Sequence, residues 1–584
     1  MFQAMIMIAA SLVAFAQADT CNLPTCPDGE TCYSGSPEAI ACMNSMPFNK
    51  EWATATVDTI SQSLENFGFL ALMHNSGPPY LTQVDLLKEL AEIKLGIDSG
   101  AFGSDMDFQD RIQDLITVTH DAHTRYQKPV CYNAIFVQPF AFDVRITENE
   151  SGVADEPKAF LQRNLYTDKY LELFPDSPVS SLLDQEVSLL NNLEFTTEVS
   201  GWADTHETRS NNRGVRFNTA VRSYLYRSAI QYNVRPLDDL ILTMADGSSA
   251  IFPWLAAYEA GFANSTFCAA EDTSLESGRG STPSQPGVNR THHPELLDPP
   301  TPLAKDVLMK INARSAEAQR EEIVPADSPY QVSCFTQKVS GSAEVQSVLV
   351  MKIASFAPPG VDGTKGFLES MQKCQSADYD MMVIDVMANG GGNVCLGLRS
   401  LELLVEDYWN DHKLVQMNYD MPHSPLMDQY IEQVNENDEY LNKDTQELYP
   451  DGKAYYWGRS VTMGGQTHER SNYFCLDCSS LEKLPLGYTP KKFMPADRLI
   501  LITDGQCGST CSNFAKIPQE TGHATIVGAG GLWEEGMDGE CTVYRFLCCF
   551  YCIIDVVYSV CFCFCSLSSC FVCRRIRLKP RCSC

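Results

Sequence analysis

Apolar residues recur at three- and four-residue spacing over residues 52–74 and 84–95, and again over 108–118, which predicts amphipathic helices and a small helical N-terminal domain. Polar text, THDAHTRY at 119–126, follows the third pattern, and alternating β-branched and aromatic text begins at Tyr132 and runs to Ile146. A histidine pair therefore sits where helix gives way to strand. From Tyr132 to about Tyr258 the pattern is that of a β-rich module. It closes on two apolar runs, 239–244 and 250–254, around Asp246-Gly247, a strong hairpin signal. Residues 269–327 are rich in Ser, Pro, Glu and Gly and read as a linker or long surface loop. From Ser347 the pattern becomes α/β: strand 347–353, helix 367–374, strand 381–386, a glycine turn and helix 394–409. The acidic, Tyr- and Asn-rich stretch 430–458 lacks calcium-loop spacing and reads as a solvated insertion. Strand 498–503 then feeds a tight turn, helix 511–520 and strand 524–527. The fold class is multidomain α+β.

A chain of 584 residues exceeds one hydrophobic core. Its 74 acidic against 43 basic residues give a net charge of -31, which repels phosphate backbones and argues against nucleic-acid partners. Residues 1–18 read as a signal peptide, apolar over 5–15 with small residues at Ala16 and Ala18, and cysteines at 21, 26, 32 and 42 come directly after it. Secretion is the expected localisation. Glycosylation acceptor patterns at Asn149, Asn264 and Asn289 agree with it. The cysteine-dense tail 541–584 has two readings. It is a translated intron or frameshift, or it carries a membrane anchor over 556–572 with Arg574, Arg575 and Arg577 as its flank. A membrane partner is expected only if that segment is real.

Three segments carry candidate chemistry. ITDGQCGSTCSNF, 502–514, ends a buried strand in small residues around Ser509 and opens a helix at once, presenting a hydroxyl beside unpaired backbone N–H groups. Taken alone, Ser509 or Ser512 reads as a helix cap. VIDVMANGGGNVCLG, 383–397, repeats strand, glycine turn and helix. Its amides suit an anion, and it lacks the Lys-Ser/Thr pair of a phosphate loop. THDAHTRY supplies imidazoles, one of which is needed to take the proton of a serine hydroxyl. His292-His293 has no Cys or acidic ligand at metal spacing and reads as solvated, so no metal and no cofactor are expected. Cys475 and Cys478 of CLDC are a redox pair, a metal half-site or structural cysteines paired elsewhere, and Cys507 and Cys511 stand close enough to bridge across the serine.

DAHTRY, an apolar strand ending in NGGG, and a later strand ending in DGQCGSTCS together resemble the tail-specific (carboxyl-terminal processing) serine protease family. The nearest likeness is to its secreted fungal and oomycete-like members and the chlamydial protease-like activity factor. The resemblance implies Ser509 as nucleophile and His123 as general base, with His120 an exposed or capping neighbour. It implies an oxyanion hole from the N–H groups of Gly391 or Gly392 and of Thr510. It implies a PDZ-like module, matched to EVSLLNN and RFN in 131–268, and a crotonase-like ββα catalytic core. The partner implied is a peptide or protein substrate. Text like the family's stops after TGHATIVGAGG, and the acidic residue that orients the histidine in relatives lies beyond that point.

These readings divide the chain into a signal peptide at 1–18, a cysteine-rich start and helical domain carrying the candidate base at 19–130, and the PDZ-like module at 131–268. Beyond them lie a loop at 269–330, the catalytic core at 331–540 and the anomalous tail at 541–584. The function expected is secreted serine endopeptidase. The alternative is a non-catalytic secreted peptide-binding protein on the same fold.

Overall fold

The computed structural model describes residues 21, 23, 25–75, 83–145, 158–263, 320–339, 345–360, 362–404, 419–433, 440–445, 447–449, 454–456, 458–463, 466–476, 478, 494–495, 497–520 and 522–531. The signal-peptide stretch, Asn149, Asn264, Asn289, His292-His293, the loop over 269–319 and the 541–584 tail with its 556–572 segment lie outside the described residues.

The unbroken apolar runs after residue 346 become parallel neighbours. Ser347–Ile353 pairs with Met381–Asp385, that strand with Leu499–Thr503, and that one with Thr525–Gly528. Parallel strands covered on both faces have no solvent side, which is why their text does not alternate. Helices Gly363–Gln375, Val394–Leu404 and Thr510–Glu520 come after these strands in order, and Phe367, Leu396, Leu401 and Phe514 join Leu349, Ile384 and Leu501 in one core. Two more strands extend the sheet with the opposite sense. Val332–Lys338 is antiparallel to Ser347–Ile353, and Arg320–Val324 forms the edge. Part of the expected loop 269–330 is therefore strand. Arg320, Glu321 and Glu322 are exposed, and an edge strand that shows its side chains to water carries no apolar signal. Disulfides tie Cys334 to Cys374 and Cys395 to Cys478. Cys478 of CLDC is thus a structural cysteine paired elsewhere.

Toward the N-terminus the helical patterns form Lys50–Leu64, Leu70–Asn75, Leu86–Ser99 and Asp105–Thr117, packed through Val57, Leu90, Phe108 and Ile112. Asn49 caps the first of these, and Ser104 with Asp107 makes a capping box on the last. The predicted 52–74 helix is two helices, broken between Leu64 and Leu70. The cysteine-rich start, stapled by Cys21–Cys42 and Cys26–Cys32, contributes Cys32–Gly35 to a four-stranded antiparallel sheet with Leu255–Tyr258, Ala134–Val137 and Tyr226–Ser228. A second antiparallel sheet runs Phe140–Arg145, Lys158–Arg163, Glu186–Leu190, Leu240–Met244, Ser249–Phe252, the last pair being the Asp246-Gly247 hairpin with Gly247 at φ 84°. The region read as β-rich also holds helices Thr167–Leu173, Phe195–His206 and Arg213–Ser223. The stretch read as a solvated insertion contributes Ile431, Tyr455 and Tyr456 to a small core that they share with Phe474.

Phe356 joins the core of the parallel sheet to the glycine turn. It is fully buried, its ring centroid lies 5.1 Å from that of Phe514 and 5.8 Å from that of Phe367, and its backbone bonds Gly391 O and Asn393 N. Phe356→Ala leaves a cavity where three elements meet and is expected to cost about 3–5 kcal/mol. A urea-unfolding midpoint equal to that of the unsubstituted protein would contradict this placement.

Candidate active site

The strand Leu499–Thr503 leaves the sheet at Asp504, whose buried carboxylate accepts N–H bonds from Gln506 (3.1 Å) and, across the sheet, Ala388 (3.0 Å). The chain then turns through Gly508, a disulfide joins Cys507 to Cys511 across the turn, and helix Thr510–Glu520 begins. Ser509 sits at the apex with φ 52°, a left-handed conformation that a non-glycine residue adopts only where its surroundings enforce it. Its side chain caps nothing, since Oγ has no hydrogen-bond partner among the described residues, while Ser512 Oγ donates to Ser509 O at 2.7 Å. Ser509 is partly open to solvent.

The glycine turn approaches from the neighbouring strand Met381–Asp385. Asn389, fully buried, donates from Nδ2 to Ile353 O (3.0 Å), accepts Gly391 N–H at Oδ1 (2.9 Å), and accepts Gly508 N–H at its carbonyl (3.2 Å). The two turns touch backbone to backbone. A Cβ on Gly391, at φ 100°, would stand 2.6 Å from Gly508 O and 2.7 Å from Ser509 Cβ. Thr510 Oγ1 donates to Gly392 O at 2.7 Å, and a Cβ on Gly397 would stand 2.4 Å from Thr510 Cγ2. The structure therefore brings Ser509, Thr510, Gly391 and Gly392 together. Of the expected N–H donors, that of Gly391 is committed to Asn389, and those of Gly392 and Thr510 have no partner among the described residues.

The histidine segment is held by its ends. Lys128 forms a buried ion pair with Asp110 and donates to Tyr232 O at 2.9 Å, and Tyr126 OH donates to Gln109 Oε1. Of the two settings expected for His120, exposed or capping, the structure rules out the first. His120 is buried at φ 46°, and its Nδ1–H donates to Glu207 O at 2.9 Å. Burial, then the charge of Arg216, lowers its pKa to about 4. His123 is the open one, with 70% of its side chain exposed and Nδ1 3.7 Å from Asp121 Oδ1. Asp121 also accepts the His123 N–H (3.1 Å) and the Thr124 hydroxyl (2.6 Å), and it holds the His123 pKa above the ordinary 6.5 against partial burial. No hydrogen bond joins His123 to Ser509 in this structure.

Helix Arg213–Ser223 fastens the middle of the chain to the serine turn. Asn218 Nδ2 donates to Asp504 O (2.8 Å) and Ala529 O (3.2 Å), and its Oδ1 accepts Gly531 N–H (2.8 Å). Arg222 reaches Asp504 Oδ2 and Gln506 Oε1 at 3.4 and 3.3 Å, and Arg209 reaches Gln506 Oε1 at 3.4 Å. Nothing in the text RFNTAV marks Asn218 for this role. Among the described residues no group of three His, Cys, Asp or Glu could hold a metal ion, and no helix is long and apolar enough to cross a membrane.

Residues 347–532 match the family model described as peptidase family S41. No curated protein matches the chain. Solved structures similar to it include mature CPAF, at 12% identity and a TM-score of 0.45 over 83% of this chain and 88% of that one. The photosystem II D1 C-terminal processing protease matches at 10% identity and a TM-score of 0.25, over 82% and 81%. A third is a putative S41 protease from Bacteroides fragilis, at 9% identity and a TM-score of 0.19, over 68% and 64%.

Asn218→Ala removes three hydrogen bonds, one to the start of the serine turn and two to the segment 529–531, at about 0.5–1.5 kcal/mol each. Amide hydrogen exchange of residues 504–508 and 528–531 is expected to accelerate in this variant, and unchanged protection there would refute the fastening role.

Proposed function

Because the chain carries a peptidase family S41 domain, we propose that it is a serine endopeptidase in which Ser509 is the nucleophile and His123 the general base. The observation that carries the reading is Ser509 itself. Its hydroxyl is unbonded on a left-handed turn, beside two N–H groups, of Gly392 and Thr510, that lack partners among the described residues. Oγ attacks the scissile carbonyl carbon and its proton passes to His123 Nε2, the nitrogen turned away from Asp121. The carbonyl oxygen becomes an oxyanion between the Gly392 and Thr510 N–H groups. Collapse breaks the C–N bond, the amine leaves with the proton from His123, and water, deprotonated by the same imidazole, releases the acyl group from Ser509. His123 closes on Ser509 when substrate is bound, since apo catalytic hydrogen bonds are commonly long.

The antiparallel sheet over residues 140–252 serves as the PDZ-like module, taking an extended peptide by strand addition. The leader 1–18 and the disulfides of the first 42 residues support an extracellular site of action, with glycosylation at Asn149, Asn264 and Asn289. A second reading, a peptide-binding protein without catalysis, is favoured by the missing Ser509–His123 bond.

A fluorophosphonate probe separates the two. Ser509→Ala is expected to abolish labelling and to lower peptide hydrolysis by on the order of 10⁴-fold or more; hydrolysis undiminished in that variant removes the proposal. The pH dependence gives an independent check. A general base works only when neutral, so the rate falls as pH drops through the His123 pKa, and Asp121 raises that pKa. Asp121→Asn is expected to move the acid limb of kcat/KM to lower pH. A limb that stays in place, or moves up, excludes His123 as the titrating base.

A further inference from the structure

A small open cleft lies beside the histidine segment, lined among others by Arg125, Tyr126, Glu207, Arg209, Gln231 and Tyr232. Its two arginines are unusual for this chain. With 74 acidic residues against 43 basic, carboxylates are plentiful, and other arginines find them: Arg213 and Arg216 on Asp204, Arg235 on Asp107 and Asp110, Arg470 on Asp420. Arg125 and Arg209 have no carboxylate within 4 Å among the described residues. Enclosure, and then the like charge of Arg209, disfavours the charged form of Arg125. The one acid in the wall, Glu207, already accepts bonds from Ser223 Oγ and Tyr232 OH, and burial raises its pKa in spite of both arginines. It offsets at most one of the two positive charges. Arg125 stands two residues beyond His123, and Arg209 bonds Gln506, three residues before Ser509.

We infer that this cleft is a substrate subsite in which Arg125 and Arg209 bind a carboxylate of the peptide, with the forked geometry that guanidinium groups offer to carboxylates. The inference rests on the peptidase reading for its substrate class. The carboxylate comes from an Asp or Glu side chain or from the chain terminus.

The test reads binding rather than turnover, on full-length Ser509→Ala protein, so it stands apart from whether Ser509 reacts. Three fluorescein-labelled nonapeptides of Ala and Ser are compared by anisotropy: one with a central Glu and an amidated terminus, one with Gln and an amidated terminus, one with Gln and a free terminus. The Glu peptide, the free-terminus peptide or both are expected to bind at least tenfold more tightly than the amidated Gln peptide, and which of them does so assigns the source. The preference is expected to vanish when Arg125→Gln and Arg209→Gln are added. Equal behaviour of all three peptides, absence of binding included, overturns the subsite, and so does a preference that survives the double substitution. The peptide comparison needs no folded arginine variant.

Discussion

The contact on which the site depends is the approach of two backbone turns, in which Gly391 meets Gly508 and Ser509 with no room for a Cβ between them. Two parallel strands deliver the turns side by side, since Met381–Asp385 and Leu499–Thr503 are neighbours in the sheet. The turns can touch only where one of them has no side chain and adopts a left-handed conformation. Everything nearby stems from that closeness. Thr510 can bond the carbonyl of Gly392, which brings together two residues whose N–H groups have no partner among the described residues, and the helices Val394–Leu404 and Thr510–Glu520 can pack where Gly397 faces the Thr510 methyl group. Phe356 closes the third side, because a Cβ on Gly392 would fall 2.3 Å from its carbonyl carbon.

Turns that leave a sheet lose their ladder partners, and buried backbone groups must find others. This explains why polar side chains are buried around the turns. Asn389 satisfies groups from Ile353, Gly391 and Gly508 at once, Asp504 takes two N–H bonds from two segments, and Asn218 takes the place of a strand at the ends of both 504 and 529–531. Asn218 lies on a helix 286 residues before Asp504 in the chain. The serine turn is therefore completed by the middle of the molecule, and its geometry cannot be independent of how that helix is seated.

The same physics decides what could be read from the sequence. The strands Ser347–Ile353, Met381–Asp385 and Leu499–Thr503 were legible because burial on both faces leaves unbroken apolar text, and the Asp246-Gly247 hairpin because its turn needs a residue that tolerates positive φ. Arg320–Val324 was not, because an exposed edge strand is written in charged residues. The aromatic core around Tyr455 and Tyr456 was hidden by the acidic residues between its members. At the site, Ser509 and the glycines could be found from order and composition. Asn218, Asn389 and the two arginines of the cleft could not, since their roles come from groups brought near by the fold and leave no local pattern.

The two histidines show how far environment outruns local text. They stand three residues apart in THDAHTRY, and nothing in that string says which is exposed. The chain reversal at His120 buries its ring against the Glu207 carbonyl, so Nδ1 is the donor, and burial with Arg216 nearby holds it neutral down to about pH 4. A base must accept a proton and keep it through the transition state, and a dry imidazole with a cation beside it keeps one poorly. His123 has the opposite setting. Asp121 fixes its backbone, faces its Nδ1 and favours the charged ring, while the exposed side chain is free to turn. His120 is committed to its bond with the Glu207 carbonyl and to its burial, whereas the His123 ring is left largely in solvent. The difference is set by neighbours: Glu207 and Arg216, far away in the chain, set the state of His120, while Asp121, two residues before it, favours the charged form of His123.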